Sequence, residues 1–330
     1  MKRILVTGAL GQIGSELVVA LRERYGAETV VASDIRIPPR GVGHTGTFEY
    51  VDCTELRQIQ EVVRRHDIDT IFHLAALLSA TAEEKPRVAW ELNMGGLYKV
   101  LEVARETRCA VFHPSSIGAF GPTTPIDNTP QDTIQRPTTM YGVTKVAGEL
   151  LCDYYHQRFG VDTRGVRYPG LISHVAPPGG GTTDYAVEIF YEAIRNRRYT
   201  CFLKRNCRLD MMYMPDAIKA AIDLMEADPA RLQHRNAFNV TATNFTPEML
   251  AAEISKHLPD FAMEYQVDPV RQAIADSWPN SIDDSAARRE WDWNPSYDLA
   301  SMTSDMLDNL QKKLKNGKGG EWSSRDGKSY

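Results

Sequence analysis

The 330 residues contain no long basic run, no long apolar run and no paired cysteine motif. Each absence narrows the function. With a net charge of −5 and no basic cluster, nucleic acid and anionic membrane are poor partners. No stretch approaches the ~20 apolar residues of a membrane span. The cysteines Cys53, Cys109, Cys152, Cys201 and Cys207 are scattered and never spaced Cys-x-x-Cys, which argues against a disulfide frame or a zinc site. No metal is expected. Met1-Lys2-Arg3 leads straight into an apolar run without the long apolar segment of a signal peptide, so a reduced, soluble, cytoplasmic setting is expected. No internal repeat is evident. What remains is 42% hydrophobic and 25% charged, an ordinary globular composition with length for one large domain or two modest ones.

The first strong signal is local. Ile4-Leu5-Val6 is a short apolar run ending in Thr7-Gly8, the pattern of a buried parallel strand. Gly8, Gly11 and Gly14 follow, with Gln12 and Ile13 inside the turn, and a helical pattern runs from Ser15 to about Arg24. Strand, glycine turn and helix form the context in which such glycines bind a dinucleotide. One allows the tight turn, one lets backbone approach a pyrophosphate, and one lets helix pack on strand. The helix start adds amide donors and a favourable dipole. A second strand from Thr29 ends at Asp34, 20 residues after Gly14. A carboxylate at that spacing meets the adenosine ribose hydroxyls and repels a 2′-phosphate, so NAD is expected over NADP, with Arg36 softening the preference. A third strand, Phe48 to Asp52, brings Asp52 and Cys53 to where they read the adenine edge. Asp52 also suits a helix N-cap before Thr54-Glu55-Leu56, and the two roles can coexist.

A fourth strand from Asp69 runs into Leu74-Ala75-Ala76, where small residues leave room for cofactor. His73 within it reads as a satisfied core residue. Ser79, just past the turn, reads equally as a substrate contact or a loop serine. Trp90 to Arg108 is a long helical pattern, interrupted by Asn93, which is placed to hold backbone near the site. A fifth strand, Cys109 to His113, ends in Pro114-Ser115-Ser116, a hydroxyl pair on the ligand side of the sheet. Gly118 to Pro137 is a Pro-, Thr- and Asp-rich loop covering the site. Thr138 or Thr139 caps a helix running to about Arg158. That helix carries Tyr141 and Lys145, four apart and so on one face. A free phenol has a pKa of about 10, and an adjacent ammonium lowers it. The pair makes a proton acceptor for an alcohol, with Ser116 donating to the same oxygen. Alone, Tyr-x-x-x-Lys is as readily the face of an amphipathic helix. The upstream dinucleotide pattern gives it meaning.

The glycine motif, Asp34, Ser116, Tyr141 and Lys145 stand in the order of the short-chain dehydrogenase/reductase superfamily, which the chain resembles. The Gly-x-x-Gly-x-x-Gly spacing and the length are similar to its extended, sugar-nucleotide-epimerase branch. Ile4 to Leu17, Gly121 to Pro125 with Pro137 to Lys145, Tyr168 to Ile172, Pro177 to Tyr185, Asp210 to Asp216 and Ala275 to Pro279 resemble the L-threonine 3-dehydrogenases of that branch. The likeness spans roughly residues 3 to 300.

The resemblance implies an α/β fold: a Rossmann doubly wound parallel sheet with helices on both faces, plus a smaller carboxyl-terminal substrate-binding domain. Residues 1–170 would bind NAD, with 206–242 returning to that domain. Residues 171–205 and 243–310 would form the substrate lobe. The Lys-, Gly- and Ser-rich stretch 311–330 is expected to be a flexible tail. Lys145 would hold the nicotinamide ribose and lower the Tyr141 pKa, Pro169 and Gly170 would lie by the nicotinamide, and Tyr168 and Pro169 would bind the cofactor. Gly180, Gly181, Thr182 and Thr183 form a loop in which glycines let backbone approach a ligand. The helix from Asp184 offers amides to a carboxylate, and Asp184 either meets an ammonium or serves the helix dipole. Trp278 reads as a wall over the substrate or as core. The implied reaction is NAD-dependent oxidation of L-threonine at C3 to 2-amino-3-oxobutanoate. A homodimer through the 88–108 and 139–158 helices is also implied. A sugar-nucleotide epimerase or dehydratase is the rival, kept open by Arg195, Arg197, Arg198, Lys204 and Arg205. A non-catalytic NAD-sensing protein is a second.

Overall fold

The computed structural model describes residues 1–38, 46–179 and 181–315. Gly180 and most of the expected tail, 316–330, lie outside the described residues, while 311–315 continue the last helix. Eight short strands come first: β1 (Ile4–Thr7), β2 (Val30–Asp34), β3 (Phe48–Tyr50), β4 (Thr70–His73), β5 (Ala110–Phe112), β6 (Ser115–Ser116), β7 (Thr163–Arg164) and β8 (Val166–Tyr168). The second half adds β9 (Gly170–Ile172), β10 (Arg198–Cys201), β11 (Leu209–Tyr213), β12 (Phe238–Asn239), β13 (Thr243–Phe245) and β14 (Ala262–Tyr265).

The main sheet is parallel throughout, in the order β3-β2-β1-β4-β5-β7. The order reverses beside β1, where a doubly wound sheet opens a crevice at its strand ends. Both faces are covered, so the strands are apolar on both sides. Ile4 and Val6 pack with Leu17, Leu21 and Ala217 on one face, and Leu5 packs with Ile59, Leu101 and Val111 on the other. The helices Gln12–Tyr25 and Met214–Glu226 lie on the first face. Leu56–Arg65, Leu97–Thr107 and Met140–Phe159 lie on the second. A third core joins Tyr185, Ile189 and Phe190 to Leu250, Ile254, Met302 and Met306 in the carboxyl-terminal half.

Two elements are divided. β7 and β8 are separated at Gly165, whose Cβ, if present, would overlap the His113 carbonyl oxygen. Pro114, which has no N–H to donate, interrupts the neighbouring strand at the same level. Beyond the break, β6, β8 and β12 form a separate parallel set. The helix expected from Trp90 to Arg108 is α-helical at Pro86–Trp90, π-helical at Glu91–Gly96 and α-helical again at Leu97–Thr107. Gly96 there lies against Cys53, and Asn93 turns inward.

Candidate active site

The glycine turn opens the site. Gly8 has φ +70°, a conformation that favours glycine, and a Cβ on it would lie 2.7 Å from the Ala75 nitrogen. Gly14 packs so closely on the turn that its Cβ would overlap the Gly8 carbonyl oxygen. Gly11 occupies the N-cap of Gln12–Tyr25, and no side chain caps that end. Its first-turn amides are thus left without a side-chain cap, as at helix starts that receive phosphate.

Asp34 ends β2 and is buried. Its carboxylate accepts from the Leu10 nitrogen at 3.0 Å and from the Arg36 guanidinium at 3.0 and 3.1 Å. Burial raises this carboxyl, but Arg36 and Leu10 outweigh it, so it stays below the usual range. Asp52 accepts from the Thr54 nitrogen at 2.8 Å and the Thr54 hydroxyl at 2.7 Å. It is not the N-cap: Glu55 holds that position, and Asp52 shapes the turn before it. Cys53 is buried, which pushes its thiol up to about 12. Asn93 sits in the π-helical turn. It accepts from the Leu77 nitrogen at 2.8 Å and donates to the Leu77 carbonyl and the Thr144 hydroxyl at 3.2 Å each. It thus ties the segment after Leu74-Ala75-Ala76 to the helix of Tyr141.

Beside this crevice lies a cavity of about 160 Å³. Gln12, Ile13, Leu74 and Ala76 line one wall, and Ser79 joins them from the start of the Ser79–Glu84 helix. Ser115, Ser116, Tyr141 and Lys145 also line the cavity. Tyr168, Pro169, Gly181, Thr182, Thr183 and Trp278 complete it. Gly8, Gly11, Gly14, Asp34, Asp52, Cys53, Ala75 and Asn93 stand outside the cavity lining, toward the turn and crevice or behind it. Leu78, Ile117 and Leu171 also line the cavity, and sequence spacing gave no signal for them.

Thr139 caps the Met140–Phe159 helix by accepting from the Gly142 nitrogen at 3.1 Å. The Tyr141 ring centroid lies 5.4 Å from Lys145 Nζ. Burial raises the Tyr141 phenol, and Ser116 beside it pulls it back. Lys145 Nζ donates to the Pro114 carbonyl at 2.7 Å. Burial also brings the Lys145 ammonium down to about 8, with Glu149 opposing. The Gly118 nitrogen donates to Ser116 Oγ at 3.1 Å, which leaves the Ser116 hydroxyl proton to donate elsewhere. Ser115 instead donates to Glu149, so its hydroxyl proton is committed away from the cavity. The Tyr168 hydroxyl is likewise committed, to the Ala217 carbonyl at 2.6 Å. Trp278 is both cavity wall and part of the third core.

On the loop side, Asp184 accepts from the Gly181 nitrogen at 2.8 Å and precedes the Tyr185–Asn196 helix. Beneath Lys145, His73 and His113 stack at 5.7 Å between centroids. Thr7 Oγ1 bonds His73 Nδ1 at 2.8 Å. Burial, aided by the Lys145 charge, takes His73 to about 3, so it is a neutral core residue. Among the described residues, no group of three or more His, Cys, Asp or Glu is placed to hold a metal, and no helix is long and apolar enough to cross a membrane.

A parallel doubly wound sheet, a glycine turn with an uncapped helix start and a Ser-Tyr-Lys cluster at one cavity define an extended short-chain dehydrogenase/reductase. The chain belongs to the NAD dependent epimerase/dehydratase family, whose profile matches residues 4–241. It is 59% identical to an L-threonine dehydrogenase from Clostridium difficile, with TM-score 0.93 over 95% of this chain and 98% of that one. It is 54% identical to a GalE-like L-threonine dehydrogenase from Cupriavidus necator in its holo form, with TM-score 0.90 over 93% and 99% of the two chains. It is also 58% identical, over 96% of its length and 99% of the relative's, to an uncharacterized epimerase/dehydratase of Staphylococcus saprophyticus.

Proposed function

We propose that the protein oxidises L-threonine at C3 to 2-amino-3-oxobutanoate with NAD. The observation that carries the reading is the cavity itself. Its lining brings Tyr141 and Ser116 together with Gly181, Thr182, Thr183 and Asp184 around one small space. Lys145 is the one cation among the described lining residues. That suits a small zwitterion better than a nucleoside diphosphate. The cations that kept a nucleotide sugar open do not line the cavity. Arg198, Lys204 and Arg205 pair with Glu264, Asp276 and Glu248, Arg197 donates to the Ala193 carbonyl, and Arg195 lies over the Tyr191 ring. The similarity to L-threonine dehydrogenases supports the same choice.

The glycine turn with Gln12 and Ile13 would hold the pyrophosphate, Asp34 the adenosine ribose, Asp52 and Cys53 the adenine edge, and Lys145 the nicotinamide ribose. Bound NAD supplies the nicotinamide that accepts the C3 hydrogen as hydride. Tyr141 takes the proton of the threonine hydroxyl as the C3–O bond becomes a carbonyl. Ser116 donates a hydrogen bond to that oxygen and holds it in line with Tyr141. Lys145, kept as an ammonium, favours the Tyr141 phenolate that burial alone disfavours. Thr182, Thr183 and the loop amides would receive the carboxylate, and Trp278 would exclude water. The non-catalytic reading is the weaker, because such a sensor has no use for the Ser116, Tyr141 and Lys145 cluster.

We also assign residues 1–170 and 206–242 to cofactor binding and 171–205 with 243–310 to the substrate side, in a cytoplasmic homodimer. Exposed Trp90, Tyr98, Leu150 and Tyr154 on the 88–108 and 139–158 helices support that interface. The test of the mechanism is Tyr141→Phe. Turnover should fall by about 10²- to 10⁴-fold, the usual worth of a general base, with NAD affinity intact. Turnover within tenfold of the parent would remove Tyr141 as the base.

A further inference from the structure

Lys145 is a buried cation whose neutral partner, the Pro114 carbonyl, cannot balance its charge. One helical turn further on stands Glu149, also buried and outside the cavity lining. Its carboxylate accepts from the Ser115 hydroxyl, from Gln135 Nε2 at 2.8 Å, and from Arg167 Nε and Nη2 at 3.1 and 2.9 Å. Arg167 is fixed in turn. It donates to the Gln131 carbonyl at 2.8 Å and to Asn239 Oδ1 at 3.1 Å, and it lies over the Phe120 ring. This is far more anchoring than a stray ion pair needs, and it ends on the residue adjacent to Ser116.

We propose that Glu149 is a positioning residue for the Tyr141–Lys145 pair, supplying the counter-charge to the Lys145 ammonium while fixing Ser115 beside Ser116. The inference rests on the reading of that pair as the proton-transfer machinery. The groups facing Lys145 support it. On its own helix these are Tyr141, Glu149 and Cys152; from β4 and the end of β5 they are His73 and His113; on β8, beyond Glu149, is Arg167. Burial keeps both imidazoles and the Cys152 thiol neutral. Glu149 is the one anion among these groups, one helical turn from Lys145; even while paired with Arg167 at 2.9 Å, it opposes the burial that brings the ammonium to about 8.

The sign follows. Removing the carboxylate destabilises the ammonium, so Lys145 should lose its proton at lower pH in Glu149→Gln. A fall of roughly one unit, the low end for a nearby opposite charge, leaves about a tenth of Lys145 charged at pH ~8 instead of half. The experiment is a pH titration of the Lys145 13Cε resonance in ¹³C-lysine-labelled full-length protein, assigned with Lys145→Met and run without substrate. It reads the charge directly, so failure of the threonine reading would show separately, in the turnover assay. Glu149→Gln should titrate at lower pH, and Glu149→Asp, which keeps the charge, should return the midpoint toward the parent value. An unmoved or raised midpoint in Glu149→Gln overturns the proposal. A residue with only a structural role would lower the melting temperature and leave that midpoint in place. Should Glu149→Gln fail to fold around an unpaired Arg167, the same comparison is made between Arg167→Gln and the double variant Glu149→Gln/Arg167→Gln, where the drop should persist and its absence overturns the proposal.

Discussion

Replacing Asp34 with serine should turn the cofactor preference toward NADP. The Asp34 carboxylate does two things at the end of its strand. It would repel a 2′-phosphate, and it holds the Arg36 guanidinium in a two-pronged contact at 3.0 and 3.1 Å. The Arg36 side chain is 60% exposed, so in D34S it is released beside the ribose site and free to swing toward solvent and phosphate. A hydrogen bond to a charged group is worth about 1.5–3 kcal/mol, which is roughly a ten- to hundredfold gain in NADP relative to NAD. The cost to the fold is small if the serine hydroxyl replaces the acceptor for the Leu10 nitrogen, now 3.0 Å from the carboxylate. The assay is kcat/KM for both cofactors in parent and D34S, with a melting curve to confirm folding. A folded D34S with an unchanged NAD-to-NADP ratio would refute the placement of the adenosine ribose at Asp34.

Leu150, 63% exposed on the proposed interface, should yield a monomer when changed to Glu; light scattering showing an unchanged mass in L150E would remove that face from the interface. Stability should fall with acid in a defined window. His73 has its folded pKa depressed to about 3 from 6.5, so its contribution is full above 6.5 and is lost as pH falls below it. The loss runs at up to about 1.4 kcal/mol per pH unit, and urea midpoints between about pH 7 and 5 should show a shallower slope in His73→Asn. An identical slope would contradict the burial of a neutral His73.

Much of the doubly wound fold and its glycine turn was legible in the sequence because those signals are local. The glycine turn is three glycines within seven residues, and Asp34 follows at the end of the next strand. The Tyr141–Lys145 pair was legible for the same reason, since helical spacing alone puts them together. What escaped was long-range. Ser116 was singled out beside Ser115, but the bond that distinguishes them, from the Ser115 hydroxyl to Glu149, spans 34 residues. The Glu149–Arg167 pair was missed because its members lie 18 residues apart, one on the Tyr141 helix and one on β8. The break in the helical pattern at Asn93 was legible, but its partners Leu77 and Thr144 were not, because they lie in other elements. The Pro114 carbonyl that receives the Lys145 ammonium was not legible, because it lies 31 residues away in another element.

The central claim is tested most directly by mixing purified protein with NAD and L-threonine and following the near-ultraviolet absorbance of reduced nicotinamide. L-serine, D-threonine and L-allo-threonine run beside it. The account predicts NADH formation selective for L-threonine. No NADH from L-threonine, in protein shown to bind NAD, would contradict it and return the cavity to a different hydroxyl substrate.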